Sequence, residues 1–412
     1  MIPKRLPVLL ALLCLWLAGA MAATPVDLDG CALLLDEDGL PLVQAGEYSE
    51  ILMGPEGFLT ARRASDGKWT ALDESGIAQA EEGYDLIRAA GGRLILKKGG
   101  LYTLAEMDFT PLTPWEYSLI LPAGEGFFAF RTNLFDDRAD ILYILDRDGE
   151  ARPTSRRLAY VPEEMAFGRS KAMSADSGLY GYLNERGEWA VAPAFSACSA
   201  FTDGVAAARV KSGIGAIDES GAWLLSPLYS TMTVGENAIL CRENETLYLY
   251  RRDDEGLIMV LQYEDAHGAL CGEFAAVYTE EYAYLYDLYG TVAATFSAET
   301  LLLPGLGGQV IAADENGMYV YDVASRRVFG FYDDLRPMPD AGAYRAAWLG
   351  EAPAGYSFGA LGADGSEILP IRYSCVAAAG ENLLAAKDEG AAYVFKTGEG
   401  KAELLHEIPL SE

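Results

Sequence analysis

Few side chains in this sequence could catalyse a reaction or bind a metal ion. Among its 412 residues the only histidines are His267 and His406, which excludes a histidine-rich metal site and leaves very few candidates for a Ser-His-Asp triad. Each histidine is expected to be an ordinary turn or surface residue. The phosphate-binding pattern GxxxxGK[ST] is absent. The glycine-rich segment 305–308 precedes an expected strand, so it offers no helix N-terminus to a phosphate and is predicted to be a loop.

Carboxylates, by contrast, are abundant. The sequence has 61 acidic residues, including adjacent pairs at Glu163-Glu164, Glu280-Glu281 and Asp333-Asp334. A glycoside hydrolase needs two carboxylates held a few ångströms apart across a sugar. With so many acids available, the sequence distinguishes no pair as catalytic, and no catalytic residue is assigned.

Short acidic segments that end in glycine resemble fragments of calcium-binding loops. Examples are Asp36–Gly39 and Asp146–Gly149. Glu47 stands twelfth from Asp36, where an EF-hand has its last ligand, but Leu40 and Pro41 occupy positions at which ligands or turn residues belong. These segments are therefore predicted to be plain hairpin turns, and the sequence predicts neither a metal site nor a bound cofactor.

The charge balance limits the partners of the protein. With 61 acidic and 31 basic residues, the formal net charge is -30. Such a surface repels phosphate backbones, so sequence-independent nucleic-acid binding is not expected, and anionic membrane surfaces are disfavoured for the same reason. The acidity is explained most simply by solubility, with a cation or a basic partner as the alternative.

The N-terminus has the three parts of a cleavable secretory signal. Lys4 and Arg5 precede the apolar run Leu6–Ala20, and the small residues of Ala20-Met21-Ala22 favour cleavage before Ala23. The run is shorter than the roughly 20 residues that span a bilayer; an uncleaved N-terminal anchor is the alternative. We expect residues 1–22 to be removed and the mature chain to be secreted or held at the cell envelope, without a membrane span.

Removal of the signal would leave five cysteines, which are Cys31, Cys198, Cys241, Cys271 and Cys375. They are far apart in sequence and an odd number cannot pair fully within one chain. They are predicted to be mostly buried and unpaired, with at most one or two bridges.

A turn of acidic residues and glycine recurs along the whole mature chain. From Gly39 to Gly400 there are 361 residues in ten intervals, which gives a mean period near 36. Two intervals are doubled, and Met107–Thr110 and Ala324–Arg327 are the candidate degenerate turns that divide them. The turns end at Gly39, Gly76, Gly149, Gly187, Gly221, Gly256, Gly290, Gly365 and Gly400. Residues 23–412 are thus predicted to form one repeat array of about ten units.

Within each unit the apolar runs are short and typical of strands. Between residues 84 and 114, runs of four to six residues rich in Leu, Tyr and Ile are separated by Gly91-Gly92 and by Gly99-Gly100. No long stretch has a helical period. We predict an all-β fold in which each unit is a three- to four-stranded antiparallel meander. A meander cannot bury both faces alone, so the units must pack against one another, either around an axis as a β-propeller, which is favoured, or linearly as an open β-solenoid.

Tyrosines alternate along several of the expected strands, in Tyr248–Tyr250, Tyr282–Tyr286 and Tyr319–Tyr321. Alternation places these rings on one face of a strand. Packing between sheets is the favoured interpretation, and an exposed ladder for carbohydrate or peptide stacking is the alternative.

The clearest unit of the array is Leu179–Lys211. Gly181-Tyr182 opens it, residues 184–187 form the turn, and Trp189 leads to Pro193. In this pattern the unit resembles a bacterial WG (KWG) repeat. The resemblance is best in residues 179–246 and 356–395. It implies an exported binding or scaffold module without shared catalytic residues, in which glycine makes turns, tryptophan packs between units and proline ends a strand.

These observations favour a non-enzymatic, exported β-repeat protein that binds a protein or a cell-envelope polysaccharide. The alternative is a hydrolase that cleaves glycans with acidic residues. A pair of carboxylates with raised pKa in a concave pocket would favour the enzyme. A broad, shallow, aromatic-rich surface without such a pair would favour the binding module.

Overall fold

The computed structural model describes residues 23–80, 82–132, 140–159, 164–253, 256–350, 355–398 and 401–410. The predicted secretory signal at residues 1–22 lies outside them. Throughout these ranges every regular element is a β-strand, apart from the 3₁₀ turns Pro55–Gly57 and Pro339–Ala341. No helix in the described part of the chain is long and apolar enough to cross a membrane. The all-β prediction is confirmed.

The strands are short and follow one another closely. In chain order, those of the first half are β1 Thr24–Asp27, β2 Ala32–Leu35, β3 Tyr48–Met53, β4 Leu59–Arg63, β5 Trp69–Leu72, β6 Leu86–Ala90, β7 Arg93–Lys98, β8 Leu101–Ala105, β9 Leu119–Ala123, β10 Gly126–Thr132, β11 Asp140–Leu145, β12 Ala151–Leu158, β13 Ser170–Met173, β14 Tyr180–Leu183, β15 Trp189–Phe195, β16 Ala197–Cys198, β17 Val205–Val210, β18 Gly213–Asp218 and β19 Trp223–Tyr229. Those of the second half are β20 Thr231–Val234, β21 Ala238–Glu243, β22 Thr246–Asp253, β23 Gly256–Tyr263, β24 His267–Cys271, β25 Phe274–Tyr278, β26 Tyr282–Asp287, β27 Val292–Ser297, β28 Leu301–Pro304, β29 Gln309–Asp314, β30 Gly317–Asp322, β31 Arg327–Tyr332, β32 Asp334–Met338, β33 Ala343–Leu349, β34 Tyr356–Gly362, β35 Glu367–Tyr373, β36 Cys375–Ala378, β37 Leu383–Lys387, β38 Ala391–Gly398 and β39 Lys401–Pro409.

Within each sheet, every strand pairs antiparallel with its neighbours in sequence, so every sheet is a meander. In the described residues we number the sheets in chain order: sheet 1 (β1–β2), sheet 2 (β3–β5), sheet 3 (β6–β8), sheet 4 (β9–β12), sheet 5 (β13–β15), sheet 6 (β16–β19), sheet 7 (β20–β23), sheet 8 (β24–β27), sheet 9 (β28–β31), sheet 10 (β32–β35) and sheet 11 (β36–β39). Sheets 2 to 11 have three or four strands and are the ten blades of a β-propeller, which confirms the predicted meanders and the favoured packing.

Sheet 1 closes the ring between the two ends of the chain. One of its sides packs Ala32 and Leu34 against sheet 2, and the other packs Val26 and Leu33 against sheet 11. Polar contacts join the same seam. The Lys387 Nζ donates to the Asp29 carbonyl oxygen at 3.1 Å, and the His406 Nε2 lies 3.2 Å from the carbonyl oxygen of Asp38. Because the last sheet meets the first, the array is a closed propeller and not an open solenoid.

The hydrophobic core is divided among the interfaces between consecutive sheets. Between sheets 5 and 6, for example, the fully buried side chains of Tyr182 and Ile217 pack with Phe201. Between sheets 7 and 8, Leu249 packs with Val277. Burial of apolar area between sheets supplies the main stabilisation, since a single small sheet cannot bury both of its faces.

The geometry of strand β15 explains both the glycine and the proline of the repeat. A Cβ on Gly181 would lie 2.5 Å from the Val191 carbonyl oxygen, because a bulge in β15 brings its backbone close to β14. Pro193 lies inside β15 and not at its end, which corrects the prediction that proline ends a strand. Proline is tolerated there because β15 is the outer edge strand of its sheet, whose free side needs no N–H donor.

The two degenerate turns occur where they were predicted. The backbone at Phe109 has φ 69° and takes the left-handed conformation that glycine has in the regular turns, and Arg326 does the same with φ 57°. The Phe109 N–H donates to the Glu106 carbonyl oxygen at 3.0 Å. These turns therefore lose the glycine but keep the hairpin.

Candidate binding face

The acidic turns that the structure describes emerge at one end of the sheets. In a four-stranded meander the turn between strands one and two and the turn between strands three and four lie at the same end, because successive strands run in opposite directions. In sheet 6 these are the turn at Asp203-Gly204 and the acidic turn Asp218–Gly221. We call the surface formed by both sets of turns the turn face.

The first acid of a regular turn is used by the turn itself. The Asp218 Oδ1 accepts hydrogen bonds from the N–H groups of Ser220 at 2.8 Å and Ala222 at 3.0 Å, and Gly221 completes the turn with φ 85°. The hydroxyl of Ser220 lowers the pKa of the Asp218 carboxyl, with the backbone N–H groups acting in the same direction against the effect of burial. The predicted hairpin turns are thus what these segments form.

The same pair of hydrogen bonds recurs around the ring. A side-chain oxygen at the first turn position accepts from the N–H groups two and four residues later at Asp36, Asp73, Asp146, Asn184 and Asp287. Since an uncharged asparagine does the same work as aspartate, the turn requires an oxygen acceptor and not a charge.

Open clefts follow the turn face from sheet to sheet. The first cleft, of about 490 Å³, lies between sheets 2 and 3. The second, also of about 490 Å³, lies in sheet 4 where it meets sheet 5. The third, of about 350 Å³, lies between sheets 9 and 10. A fourth, of about 420 Å³, lies where Phe167, just before β13, meets the first turns of sheets 6 and 7. Turn residues line all four, so the described part of the turn face offers a series of open sites.

A fifth cleft, of about 630 Å³, lies between sheets 7 and 8 and departs from the regular pattern. Arg251 lines it from β22 and Tyr289 lines it from the acidic turn of sheet 8. The Arg251 Cζ lies 4.5 Å from the centre of the Tyr289 ring, a cation–π contact. Tyr289 is nevertheless 73% exposed.

The walls of this cleft carry both hydrogen-bond donors and acceptors. Asn237, Asp253, Glu273 and Asp287 line it together with the arginines. The Arg251 Nη2 lies 2.9 Å from Asp253 Oδ2. We call the cleft lined by these residues and Tyr289 the Tyr289 cleft.

The described members of the adjacent acid pairs named from the sequence do not line these clefts. Glu164 pairs with the Arg88 guanidinium, and Glu163 lies outside the described residues. Glu280 and Glu281 occupy the turn between β25 and β26, at the opposite end of sheet 8. Asp333 follows β31, also at that end, and accepts a hydrogen bond from the N–H of Leu349 at 2.7 Å.

Among the acids that the structure describes, every displaced pKa is shifted in the same direction. Hydrogen-bond donors, chiefly, hold the pKa below its ordinary value at Asp66, Glu82, Asp85, Asp108, Glu164, Asp218, Asp322, Asp364 and Asp388. A general acid for glycoside cleavage needs the opposite, a carboxyl whose pKa is raised by an apolar site. In the part of the chain that the structure describes, no three His, Cys, Asp or Glu residues are grouped so that they could hold a metal ion.

The other candidates have ordinary surroundings. His267 stacks on Tyr278 with ring centres 5.1 Å apart, and the glycine-rich segment 305–308 forms the predicted loop, between β28 and β29. Tyr286 and Tyr319 are buried between sheets, as packing predicts, while Tyr282 is 45% exposed. Sequence reasoning missed Tyr289, although it stands in a turn position that is polar in the regular repeats.

Comparison with known proteins finds one family match and several distant structural neighbours. Residues 180–212 match the family described as WG containing repeat, which confirms the resemblance of that unit. Apo AztD from Citrobacter koseri is 12% identical, with 74% of this chain and 92% of that chain covered and a TM-score of 0.30. Hsv2 from Kluyveromyces lactis is 9% identical, with 59% and 99% covered and a TM-score of 0.33.

A eukaryotic initiation factor is 9% identical, with 85% of this chain and 96% of that chain covered and a TM-score of 0.45. No curated protein matches the chain in sequence.

Proposed function

We propose that this chain is an exported, non-enzymatic WG-repeat propeller that binds a component of the cell envelope through its turn face. The series of open clefts along that one face carries the proposal. Binding sites lie preferentially on loops that a rigid scaffold positions, and here the scaffold is a ring of sheets. The predicted secretory signal at residues 1–22 supports a location outside the cytoplasm.

A binding role accounts for the acids better than the alternative hydrolase does. The acids of the regular turns accept hydrogen bonds from their own backbone, and the displaced pKa values of the described acids lie below their ordinary range. Neither property supplies the proton donor that glycoside hydrolysis requires.

The proposal is tested by co-sedimentation of the mature chain, starting at Ala23, with purified bacterial peptidoglycan and with protein-free wall polysaccharide. We expect the protein to sediment with one of these materials and to release no new reducing ends. The double variant Glu74→Arg/Glu185→Arg changes two exposed acids that line clefts of the turn face and should weaken binding about tenfold.

The control variant Glu280→Arg/Glu281→Arg makes the same change of charge at the opposite end of a sheet and should bind as the unaltered protein does. Equal losses in both variants would refute the assignment to the turn face. Shortening of the polysaccharide by the unaltered protein would favour the hydrolase. Recovery of the full-length protein only from the cytoplasm, with Met1 intact, would refute export.

A further inference from the structure

One position of the repeat has the opposite charge in sheet 7. The first residue of the second strand pairs with the first acid of the turn in sheets 6 and 8, as Val205 with Asp218 and Phe274 with Asp287. In sheet 7 the equivalent residue, Ala238, pairs with Arg251. Arg251 therefore stands where the regular turns have an oxygen acceptor, and its connection to Gly256 is two residues longer than that from Asp287 to Gly290.

The neighbouring turn departs from the pattern at the same place. The third position of the regular turns is polar at Asp38, Ser75, Asp148, Arg186 and Ser220. Sheet 8 has Tyr289 there, with most of its ring in solvent. An exposed tyrosine adds nothing to the turn, because its N–H donates to Asp287 Oδ1 at 2.9 Å as the polar residues do. Positions that break a local rule without a structural gain are where function is expected.

Arg251 and Tyr289, the two residues that depart from the repeat, line the same cleft and contact each other. The guanidinium of Arg251 lies over the Tyr289 ring, with its Cζ 4.5 Å from the ring centre, and it forms an ion pair with Asp253 at 2.9 Å. Arg252 is likewise held, by Asp203 at 2.9 Å. The ring is thus positioned in advance with much of its surface open, which lowers the entropic cost of binding.

We propose that the Tyr289 cleft binds a neutral glycan; this proposal rests on the proposed function and names its ligand. An exposed, ordered aromatic ring matches the C–H face of a pyranose. Sugar hydroxyls both donate and accept hydrogen bonds, and the cleft offers an acceptor at Glu273 and both kinds of group at Asn237. Glu273 and Asp287 disfavour an anionic sugar, because both guanidinium groups of the cleft are already paired with aspartates.

The test measures affinity by titration calorimetry in 0.15 M salt with four probes: β-1,4-linked and α-1,4-linked glucose hexamers, a galacturonate hexamer and a hexalysine peptide. We expect one of the glucose hexamers to bind more tightly than the charged probes. Tyr289→Ala should weaken that binding at least about tenfold, and Tyr289→Phe should retain most of it. Arg251→Asp, which restores the repeating residue type, should weaken it as well.

Tyr282→Ala is the matched control, since Tyr282 is also exposed and lies at the opposite end of the same sheet. It should bind as the unaltered protein does. The circular dichroism spectrum of each variant checks its fold. Absence of binding by both glucose hexamers, equal effects of Tyr289→Ala and Tyr282→Ala, or tighter binding of hexalysine or galacturonate would overturn the proposal. If wall material still sediments with Tyr289→Ala undiminished, the glycan assignment fails while the proposed function stands.

Discussion

Sheets 6 and 7 are neighbours with the same strand order. They differ in the residue at the first position of the turn that follows the third strand. In sheet 6 the Asp218 carboxylate is bonded to the turn that contains it. In sheet 7 the guanidinium of Arg251 takes that place and extends to the Tyr289 ring of the next sheet. The regular turn uses its polar side chain to stabilise a hairpin, whereas the irregular one directs its side chain across a cleft. The repeat builds the ring, and a departure from the repeat provides the candidate site.

The largest effect expected from this comparison concerns the glycine of the regular turn. A Cβ on Gly221, which has φ 85°, would lie 2.7 Å from Val191 Cγ1 in the preceding sheet. Gly221→Ala should therefore lower the free energy of unfolding by about 2–4 kcal/mol, through backbone strain and overpacking together. Gly272→Ala is the control, because that glycine has φ 62° with open space around it, and should cost about 1–2 kcal/mol. Urea denaturation measures both, and equal losses would contradict the close approach.

A smaller effect is expected from the acid of the same turn. Asp218→Ala removes the acceptor of two backbone N–H groups and should cost about 1 kcal/mol, as loss of a helix cap does. Asp218→Asn should cost much less, because Asn184 accepts the equivalent hydrogen bonds at 2.9 and 3.0 Å in sheet 5. If the asparagine variant were as unstable as the alanine variant in thermal melts, charge and not hydrogen bonding would hold the turn.

The stability of the unaltered protein and that of Asp218→Asn should depend on pH in different ways. The pKa of the Asp218 carboxyl is lower in the folded chain than in the unfolded chain, chiefly because of the Ser220 hydroxyl. Its contribution to stability is thus present above the unfolded pKa and is lost as the pH falls through the folded pKa. The stability advantage of the unaltered protein over Asp218→Asn should shrink on acidification from pH 6 to pH 3, in urea midpoints of both proteins. A constant difference would show that the ionised form is not favoured by folding.

The smallest effect is a difference in thiol reactivity between the two sheets. Burial raises the pKa of the Cys241 thiol in β21 to about 12, while Cys198 in β16 is only partly buried. Because the thiolate is the reactive form, Cys241 should be alkylated much more slowly than Cys198 at pH 8. Peptide mass spectrometry after iodoacetamide treatment measures the two rates, and rapid labelling of Cys241 would show that the interior of sheet 7 opens readily.

The sequence was sufficient to predict the repeating parts of this structure. The spacing of the turns and the short apolar runs predicted all-β meanders, including the turns at Phe109 and Arg326 that lack glycine. Ring closure could not be derived, because it depends on contacts such as that of Lys387 with Asp29, which local patterns do not encode. The prediction that Pro193 ends a strand was also wrong. The proline lies in a bulged edge strand, and a bulge depends on pairing with the neighbouring strand.

The candidate site was missed for a related reason. The segment that ends at Gly256 has the composition of one more acidic turn, and only the pairing of Arg251 with Ala238 shows which residue occupies the turn's first position. Tyr289 could have been noticed, because a tyrosine between Asp287 and Gly290 differs from the polar residues of the other turns. Regular repeats are thus easier to predict than the exceptions on which function depends.

Hydrogen–deuterium exchange of the mature protein, with and without a saturating glucose hexamer, tests the central claim most directly. The account predicts slower exchange on binding in two segments, the end of β22 around Arg251 and the turn from Asp287 to Gly290, with no change in the regular turn Asp218–Gly221. Protection of the regular turns, or of the opposite ends of the sheets alone, would contradict the claim that the departure from the repeat is the binding site.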